Sequence, residues 1–205
     1  ICHPSMANDS LSGVVVAVYL YKYLKSLKSR YYTYRFIFAP ETIGVISYLK
    51  KNEKKIKQNV LCGFVLTCLG DKAAFNYKKT KQNNHEIDKI VKYTFDRNNK
   101  KITYHDFWPS GSDERQYSSP SFNIPVGSLI RSVYGKFSQY HTSKDNLSFI
   151  NKKKLEESLD IYKNIFNIID SNHTYVRTNG HCEPMLSKYN LYDTIGGNKI
   201  QNKDT

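Results

Sequence analysis

Histidine and carboxylate side chains stand where predicted strands end and predicted helices begin. His3 lies near the start of the chain, at the expected end of a first strand, and Glu41 and Asp71 each follow a predicted strand. Asp9 opens the first predicted helix, and His141 precedes the last one. Open α/β sheets bind their ligands at the carboxyl ends of strands. Imidazole and carboxylate groups that converge there are the ligands that a catalytic zinc ion needs.

Each of these residues also has an ordinary structural explanation. Asp9 can cap a helix, Glu41 is a favourable acid for a first helical turn, and Asp71 after a glycine suits a turn. A single histidine is more often a hydrogen-bonded structural residue than a ligand. Residue types alone therefore favour the structural explanation. The other histidines are interpreted as surface residues: His85, His105, His173 and His181.

The signatures of several other site classes do not occur in the sequence. There is no GxSxG, GxxxxGK[ST], GxGxxG or HExxH string, which leaves serine hydrolase, P-loop and Rossmann readings without support. The four cysteines form no CxxC pair and no dense framework, so neither a zinc knuckle nor a disulfide scaffold is indicated. A reduced, cytoplasmic setting is expected.

The composition argues against nucleic-acid and membrane partners. The 205-residue chain carries a net charge of +13, but only six of its 31 basic residues are arginines and the lysines are spread along the chain. Nucleic-acid sites usually cluster their basic residues on a recognisable module. The longest clean apolar stretch, residues 14–20, is far shorter than the roughly 20 residues that a membrane helix needs.

Hydrophobic periodicity predicts an α/β domain that positions these side chains. Helices are predicted at residues 10–28, 41–57, 85–95 and 145–170, and strands at residues 32–38, 60–69, 101–107 and 126–132. Their alternation predicts a three-layer α/β/α sandwich over residues 1–170, with a largely parallel sheet. Residues 171–205 are expected to form an irregular arm or linker toward an absent domain. The chain begins Ile-Cys-His-Pro without Met, and we expect that an N-terminal part is missing.

Three segments resemble the zinc aminopeptidase and glutaminyl cyclase clan. HPSMANDSLSG at residues 3–13 resembles its first metal motif, FIFAPETIG at 36–44 its strand and Glu-Glu-x-Gly motif, and YHTSKD at 140–145 its final YHT-x-x-D motif. With GSDERQY at 111–117, the chain is most similar to a bacterial aminopeptidase-like family often associated with surface-polysaccharide biosynthesis genes. The resemblance implies a zinc-aminopeptidase-like fold, and members continue into a winged-helix domain.

The resemblance also implies a role for each matching residue. His3, Asp9 and His141 would be metal ligands, and Glu41 would be the general base that takes a proton from water. Asp71 would be a further ligand after the next strand, although no local motif fixes its register. The cofactor would be zinc, and the substrate a small peptide or amide.

Two positions depart from the clan's pattern. Thr42 stands where the aminopeptidases have a second Glu as a ligand, and Ser5 stands where they have an Asp that orients the His. The missing carboxylate favours one tightly held metal over two, or Glu41 acting as ligand instead of base. The missing orienting Asp weakens the support of the site, and such a loss typically costs about 10- to 100-fold in metal affinity or activity.

The loop at residues 110–117 lies where the clan places groups that face the substrate. Asp113 or Glu114 could hold a substrate ammonium group, and Arg115 or Arg131 could bind a carboxylate through paired hydrogen bonds. A solvated turn is the alternative interpretation of this loop.

The sequence thus predicts a zinc-dependent amide or peptide hydrolase of the aminopeptidase type. A first alternative is an amidase or deacylase that acts on an amino-sugar or polysaccharide precursor. A second is a non-catalytic binding module that retains the fold, which Thr42 and Ser5 would also permit. Bound zinc distinguishes the hydrolases from the binding module.

Overall fold

The first of the two units into which the chain divides contains both helices and strands. A computed structural model describes residues 1–108, 111–192, 194–195 and 198–199. The two units are Ile1–Asn172 and His173–Thr205.

In the first unit a wide helical turn, Ala7–Ser12, leads directly into the first helix. The helices α1 to α5 are Gly13–Ser26, Ile43–Asn59, Glu86–Arg97, Glu114–Tyr117 and Lys152–Ser171. The strands β1 to β4 are Gly63–Val65, Phe75–Lys78, Ile102–His105 and Val126–Ile130.

The four strands form one mixed sheet in the order β1-β4-β2-β3. β1 runs parallel to β4, and β2 runs parallel to β3. The central pair, β2 and β4, is antiparallel, with Tyr77 opposite Leu129. All five residues of β4 are buried, as expected for a central strand covered on both faces.

Helices cover both faces of this sheet. On one face Leu20 of α1, Val91 of α3 and Ile161 of α5 belong to one buried cluster with Tyr77 of β2. On the other face Val45, Leu49 and Ile56 of α2 pack with Ile124 and Val126 in a second cluster. Burying an apolar stripe of each helix against the sheet is what holds such layers together. The predicted three-layer α/β/α architecture with a largely parallel sheet is confirmed.

Two predicted strands differ from the structure. Residues 32–38 pair with no strand in the described part of the chain. These residues and β1 line the same groove, which has a volume of about 890 Å³. The backbone N–H groups of Tyr31 and Tyr32 donate to the Asp170 carboxylate rather than to a neighbouring strand. The strand predicted at 60–69 is only the three residues of β1, and β2 was missed because its NYK sequence breaks the apolar run.

The last helix begins seven residues later than predicted. Turns occupy residues 145–151, and α5 starts at Lys152 with the Asn151 side chain accepting from the Lys154 N–H. Asp145 could have opened a helix, but its carboxylate bonds to another part of the chain.

Two of the histidines predicted to lie on the surface are half-buried and have structural partners. The Nδ1 of His85 accepts from the Ile87 N–H and caps α3, and the Asp88 carboxylate closes the capping box by accepting from the His85 N–H. The Nε2 of His105 lies 2.8 Å from the Asn76 side-chain oxygen. These are corrections to the surface assignment. His173 and His181 are exposed.

The second unit contains little regular structure in its described part. A 3₁₀ turn spans Leu186–Tyr189, and Thr194–Ile195 pairs antiparallel with Asn198–Lys199. Across the residues that the structure describes, no helix combines the length and the apolarity that crossing a lipid bilayer requires.

Candidate metal centre

Three of the four predicted metal ligands come together at one point. His3, Asp9 and His141 each offer a ligand atom, and these atoms lie within 4.8 Å of one another. The Nε2 of His141 is 3.3 Å from an Asp9 carboxylate oxygen, and the imidazole centroids of His3 and His141 are 4.1 Å apart. Residues separated by more than 130 positions in the sequence therefore share one small volume.

Asp9 is held in place through its backbone as well as its side chain. It lies in the turn Ala7–Ser12 and is 7% exposed. The two oxygens of the Asp145 carboxylate accept from the backbone N–H groups of Asn8 (2.6 Å) and Asp9 (2.9 Å). The Thr67 hydroxyl donates to the Asp9 Oδ1 at 3.2 Å. Asp9 thus presents its second oxygen, Oδ2, toward His141.

Asp71, which was predicted as a ligand, supports this turn and lies outside the cluster found among the described residues. Its carboxylate accepts from the Asn8 side-chain amide at 2.8 Å and from the backbone N–H groups of Ala73 and Ser132. Asn8 in turn accepts from the Gly70 N–H. Asp71 is 1% exposed, and its oxygens are already used for hydrogen bonds. It positions Asn8, the residue before Asp9.

The two imidazoles are less firmly held than Asp9. The His3 Nδ1 is buried and has no hydrogen-bond partner. His141 adopts a left-handed backbone conformation with φ of 55°, and its ring stacks on that of Tyr140 with centroids 3.8 Å apart. A buried polar atom normally has a partner, so the orphaned His3 nitrogen is a position where an additional group is expected to bind.

The donor set fits zinc. Catalytic zinc ions are usually held by three protein ligands drawn from His, Asp, Glu and Cys, with a fourth position left for water or substrate. His3, Asp9 and His141 supply two imidazole nitrogens and one carboxylate. The orphaned nitrogen of His3 is satisfied if it coordinates a cation or donates to a group outside the described chain.

Glu41 lies beside the cluster but is not a member of it in the described part of the chain. Its backbone N–H donates to the Ile1 carbonyl oxygen at 3.3 Å, which ties it to the residues just before His3. Burial raises the pKa of the Cys2 thiol, and the nearby Glu41 carboxylate raises it further. Glu41 is half-buried. The Glu41 carboxylate therefore lies near the Cys2 thiol, and the described ion pairs do not include it.

Asp113 of the 110–117 loop contacts the residue that follows Glu41. Its Oδ1 accepts from the Thr42 N–H at 2.9 Å. Burial raises the pKa of the Asp113 carboxyl, and the negative charges of Glu41 and Glu114 also raise it, while the hydrogen bond from Thr42 and the N-terminal charge oppose the rise. The Arg115 Nη2 lies 3.5 Å from the Thr42 hydroxyl. Two of the four predicted substrate-binding residues thus contact the residue after Glu41.

The other two predicted substrate-binding residues are structural. Glu114 is fully buried, and its carboxylate pairs with the ammonium of buried Lys78 at 2.7 Å. Arg131 is 1% exposed, and its guanidinium donates to the Ala73 carbonyl, the Ser158 hydroxyl and the Glu157 carboxylate. The charged groups of Glu114 and Arg131 are thus held in ion pairs with other residues of the chain.

The sequence interpretation missed three residues that position Asp9. These are Asn8, Thr67 and Asp145. Asn8 and Asp145 stand inside the strings AND and YHTSKD, so a signal was present. No local signal distinguishes Thr67, because its role depends on how β1 packs against the turn.

The comparisons with known proteins identify the family and the fold. Residues 1–172 match the family described as "Domain of unknown function (DUF4910)". The chain belongs to this family. This DUF4910 chain is also 50% identical over 196 residues, 96% of its length, to a Clostridium acetobutylicum protein provisionally named a polysaccharide biosynthesis protein with an aminopeptidase-like domain. It spans 44% of that relative.

Solved structures show the same fold. A crystal structure from Clostridium acetobutylicum, provisionally described as a peptidase, superposes with a TM-score of 0.83 and 49% identity over 92% of this chain and 44% of that one. A zinc aminopeptidase from Bacillus subtilis gives a TM-score of 0.69 and 17% identity over 86% of this chain and 45% of that one. The DUF4910 chain therefore has the aminopeptidase-like fold, as the sequence resemblance predicted.

Proposed function

We propose that this DUF4910 chain carries the metal-binding part of a zinc-dependent amide or peptide hydrolase of the aminopeptidase type. The observation that carries the proposal is the convergence of His3, Asp9 and His141 within 4.8 Å. When bound there, a zinc ion supplies Lewis-acid polarisation of a carbonyl and acidifies water. The fold is shared with aminopeptidases, which supports this choice over other zinc chemistries.

In this proposal Glu41 is the general base. Hydrolysis forms a bond from a water oxygen to the amide carbon and breaks the bond from that carbon to nitrogen. Glu41 takes the proton from the attacking water and returns it to the leaving nitrogen. Its place beside the cluster, outside the three ligands, favours the role of base over that of ligand.

Asp113 would hold the substrate's ammonium group. It is a carboxylate close to Glu41, and its described hydrogen bond, to the Thr42 N–H, uses only one oxygen. The second oxygen can accept a charge-assisted hydrogen bond from an amine. A small peptide or amide with a free amino group is therefore the expected substrate class.

One zinc ion per chain is the expected content. Thr42 offers a neutral hydroxyl where a second ligand carboxylate would be needed, and Asp71 is committed to Asn8. A second divalent cation would then leave excess positive charge among few anionic ligands.

An amidase or deacylase that acts on an amino-sugar precursor is the second candidate. The observation that favours it is the name of the Clostridium acetobutylicum relative, which refers to polysaccharide biosynthesis. The same cluster and the same base would serve, because the bond cleaved is again an amide.

The test combines metal analysis with turnover. Zinc bound per chain is measured by mass spectrometry and calorimetry for the chain and for His3→Ala and His141→Ala, with His181→Ala as the matched control because His181 is exposed and outside the cluster. The two cluster variants should lose most of the zinc affinity, and the control should retain it.

Turnover is measured on aminoacyl anilides and on N-acetyl amino sugars, in the chain and in the full-length relative. Glu41→Gln should keep the zinc and lower turnover by about two orders of magnitude or more. Loss of zinc in Glu41→Gln would make Glu41 a ligand. Zinc binding without turnover on either substrate class in both proteins would instead support a binding module.

A further inference from the structure

A second depression, distinct from the groove described above, is lined by Thr42 and by residues of the short helix α4. Its volume is about 630 Å³, and its lining includes Thr42, Lys81, Phe107, Arg115 and Ser118. Thr42 directly follows Glu41 in the chain. The depression therefore adjoins the proposed catalytic base without containing any of the three metal-cluster residues.

Polar groups of this depression lack partners although they are buried. The Arg115 Nε and the Ser118 Oγ are both inaccessible and have no hydrogen-bond partner, and Ser118 as a whole is 2% exposed. The Lys81 ammonium donates to the Ser118 carbonyl oxygen at 3.1 Å, which brings its charge to the same place. Buried donors without acceptors are costly, and a small shift of either side chain toward the acceptor oxygens of a bound ligand would remove that cost.

The charge of the depression is positive. Arg115 and Lys81 are its cations. Neither nearby carboxylate lines the depression, because Asp113 lines the groove that also contains Glu41, and Glu114 pairs with Lys78. A guanidinium, an ammonium and hydroxyl groups together form the donor set that proteins use for phosphate and carboxylate groups.

We propose that this depression binds an oxyanion, a phosphate or carboxylate group, carried by the substrate of the adjacent site. Arg115 and Lys81 provide the charge, Ser118 and Thr42 provide hydroxyl contacts, and the Phe107 ring provides an apolar wall for the part of the molecule that bears the anion. The proposal rests on the proposed function, since it takes the anion and the scissile amide to belong to one molecule. It makes the substrate an anionic amide rather than a neutral one.

The first experiment measures anion binding without turnover. Inorganic phosphate, N-acetylglucosamine 1-phosphate and succinate are titrated into the ¹⁵N-labelled chain, with N-acetylglucosamine as the uncharged control. The amide signals of Arg115 and Ser118 should shift with the anions and not with the neutral sugar. Phosphate and succinate titrated separately show which oxyanion is preferred. Shifts confined to other regions, or none at millimolar concentration, would overturn the proposal.

The second experiment uses matched charge variants. Arg115→Gln and Lys81→Gln should each weaken phosphate binding by about tenfold or more, which is the usual scale for a hydrogen bond to a charged group. Arg97→Gln removes an exposed positive charge from α3 and should leave binding unchanged. An equal loss in Arg97→Gln would mean that only the net charge of +13 attracts the anion, and the proposal would be wrong.

A third measurement separates this proposal from the metal site. His3→Ala should bind phosphate as well as the unmodified chain does, while its zinc affinity falls. Anion binding with no zinc binding in the unmodified chain would refute the proposed hydrolase and leave the anion site standing. Zinc binding and hydrolysis of neutral amides without anion binding would refute the anion site and leave the proposed hydrolase standing. Because the shifts are measured in the unmodified chain, the result does not depend on whether Arg115→Gln folds.

Discussion

Asp145→Asn should weaken the proposed metal centre without changing a ligand. The Asp145 carboxylate is 2% exposed and accepts two backbone N–H groups, from Asn8 and Asp9, at 2.6 and 2.9 Å. An amide of the same shape keeps one acceptor oxygen and turns an NH₂ group toward the other N–H. One buried donor then lacks an acceptor and faces a second donor.

The magnitude follows from that geometry. A hydrogen bond to a charged group contributes about 1.5 to 3 kcal/mol, and a buried donor left unpaired costs about 1 to 3 kcal/mol. We therefore expect Asp145→Asn to lower the free energy of unfolding by about 2 to 4 kcal/mol. Since the lost bond fixes the backbone of Asp9, zinc affinity should also fall by about 10- to 100-fold, as it does when groups that orient metal ligands are removed.

Urea unfolding and zinc calorimetry measure the two effects separately. Asp160→Asn is the matched control, because Asp160 is an exposed aspartate on α5 whose contact with Lys163 is a surface ion pair. Such pairs contribute about 0 to 1 kcal/mol, and Asp160 has no described contact with the cluster. If the folded Asp145→Asn chain bound zinc as tightly as the unmodified chain, the reasoning that the Asp9 turn preorganises the site would be refuted.

Three further predictions concern charge and pH. Thr42→Glu should raise the number of tightly bound zinc ions from one to two in native mass spectrometry, with Thr42→Gln staying at one; two tight ions in the unmodified chain would contradict this. Because burial raises the pKa of Asp113, the KM for amine substrates should rise on the acidic side at a higher pH than an ordinary aspartate would give, and Asp113→Asn should remove that pH dependence of KM. Partial burial raises the pKa of Glu157, but hydrogen bonds from Lys100, Lys154 and Arg131 outweigh this effect and lower the pKa to about 2. The ionised Glu157 therefore stabilises the fold fully above its unfolded pKa of about 4.3, and this contribution, about 1 to 3 kcal/mol after allowance for screening, is lost as the pH falls toward 2. If Glu157→Gln unfolded in acid at the same pH as the unmodified chain, this prediction would be wrong.

The sequence predicted those parts of the fold that depend on local periodicity. α2 and α3 lie within two residues of their predicted bounds, because each has an apolar stripe at helical spacing. β2 was not predicted, since its sequence FNYK carries a lysine that only the tertiary structure buries against Glu114. Residues 32–38 have strand-like composition, but a strand also needs a hydrogen-bonded neighbour, and local composition does not specify one.

The same contrast between local sequence patterns and tertiary partners explains which of the predicted site residues lie in the cluster. His3, Asp9 and His141 were identified because each belongs to a motif with a fixed position in the resembling family. Asp71 and Arg131 were assigned from residue type and approximate place. A carboxylate or a guanidinium suits a buried hydrogen-bond network as well as it suits a ligand, and the network became visible only once Asn8 and Glu157 were seen as the partners.

The distribution of supporting contacts indicates which ligand limits metal affinity. Asp9 is fixed by Asp145, by Thr67 and, through Asn8, by Asp71. His3 has no such support, because Ser5 replaces the orienting carboxylate expected at that position and the His3 Nδ1 has no partner. A ligand that must be ordered on binding loses conformational entropy, whereas a preorganised ligand does not. The carboxylate side of the proposed zinc site is therefore preorganised, and we expect its zinc affinity to depend on how firmly His3 is held.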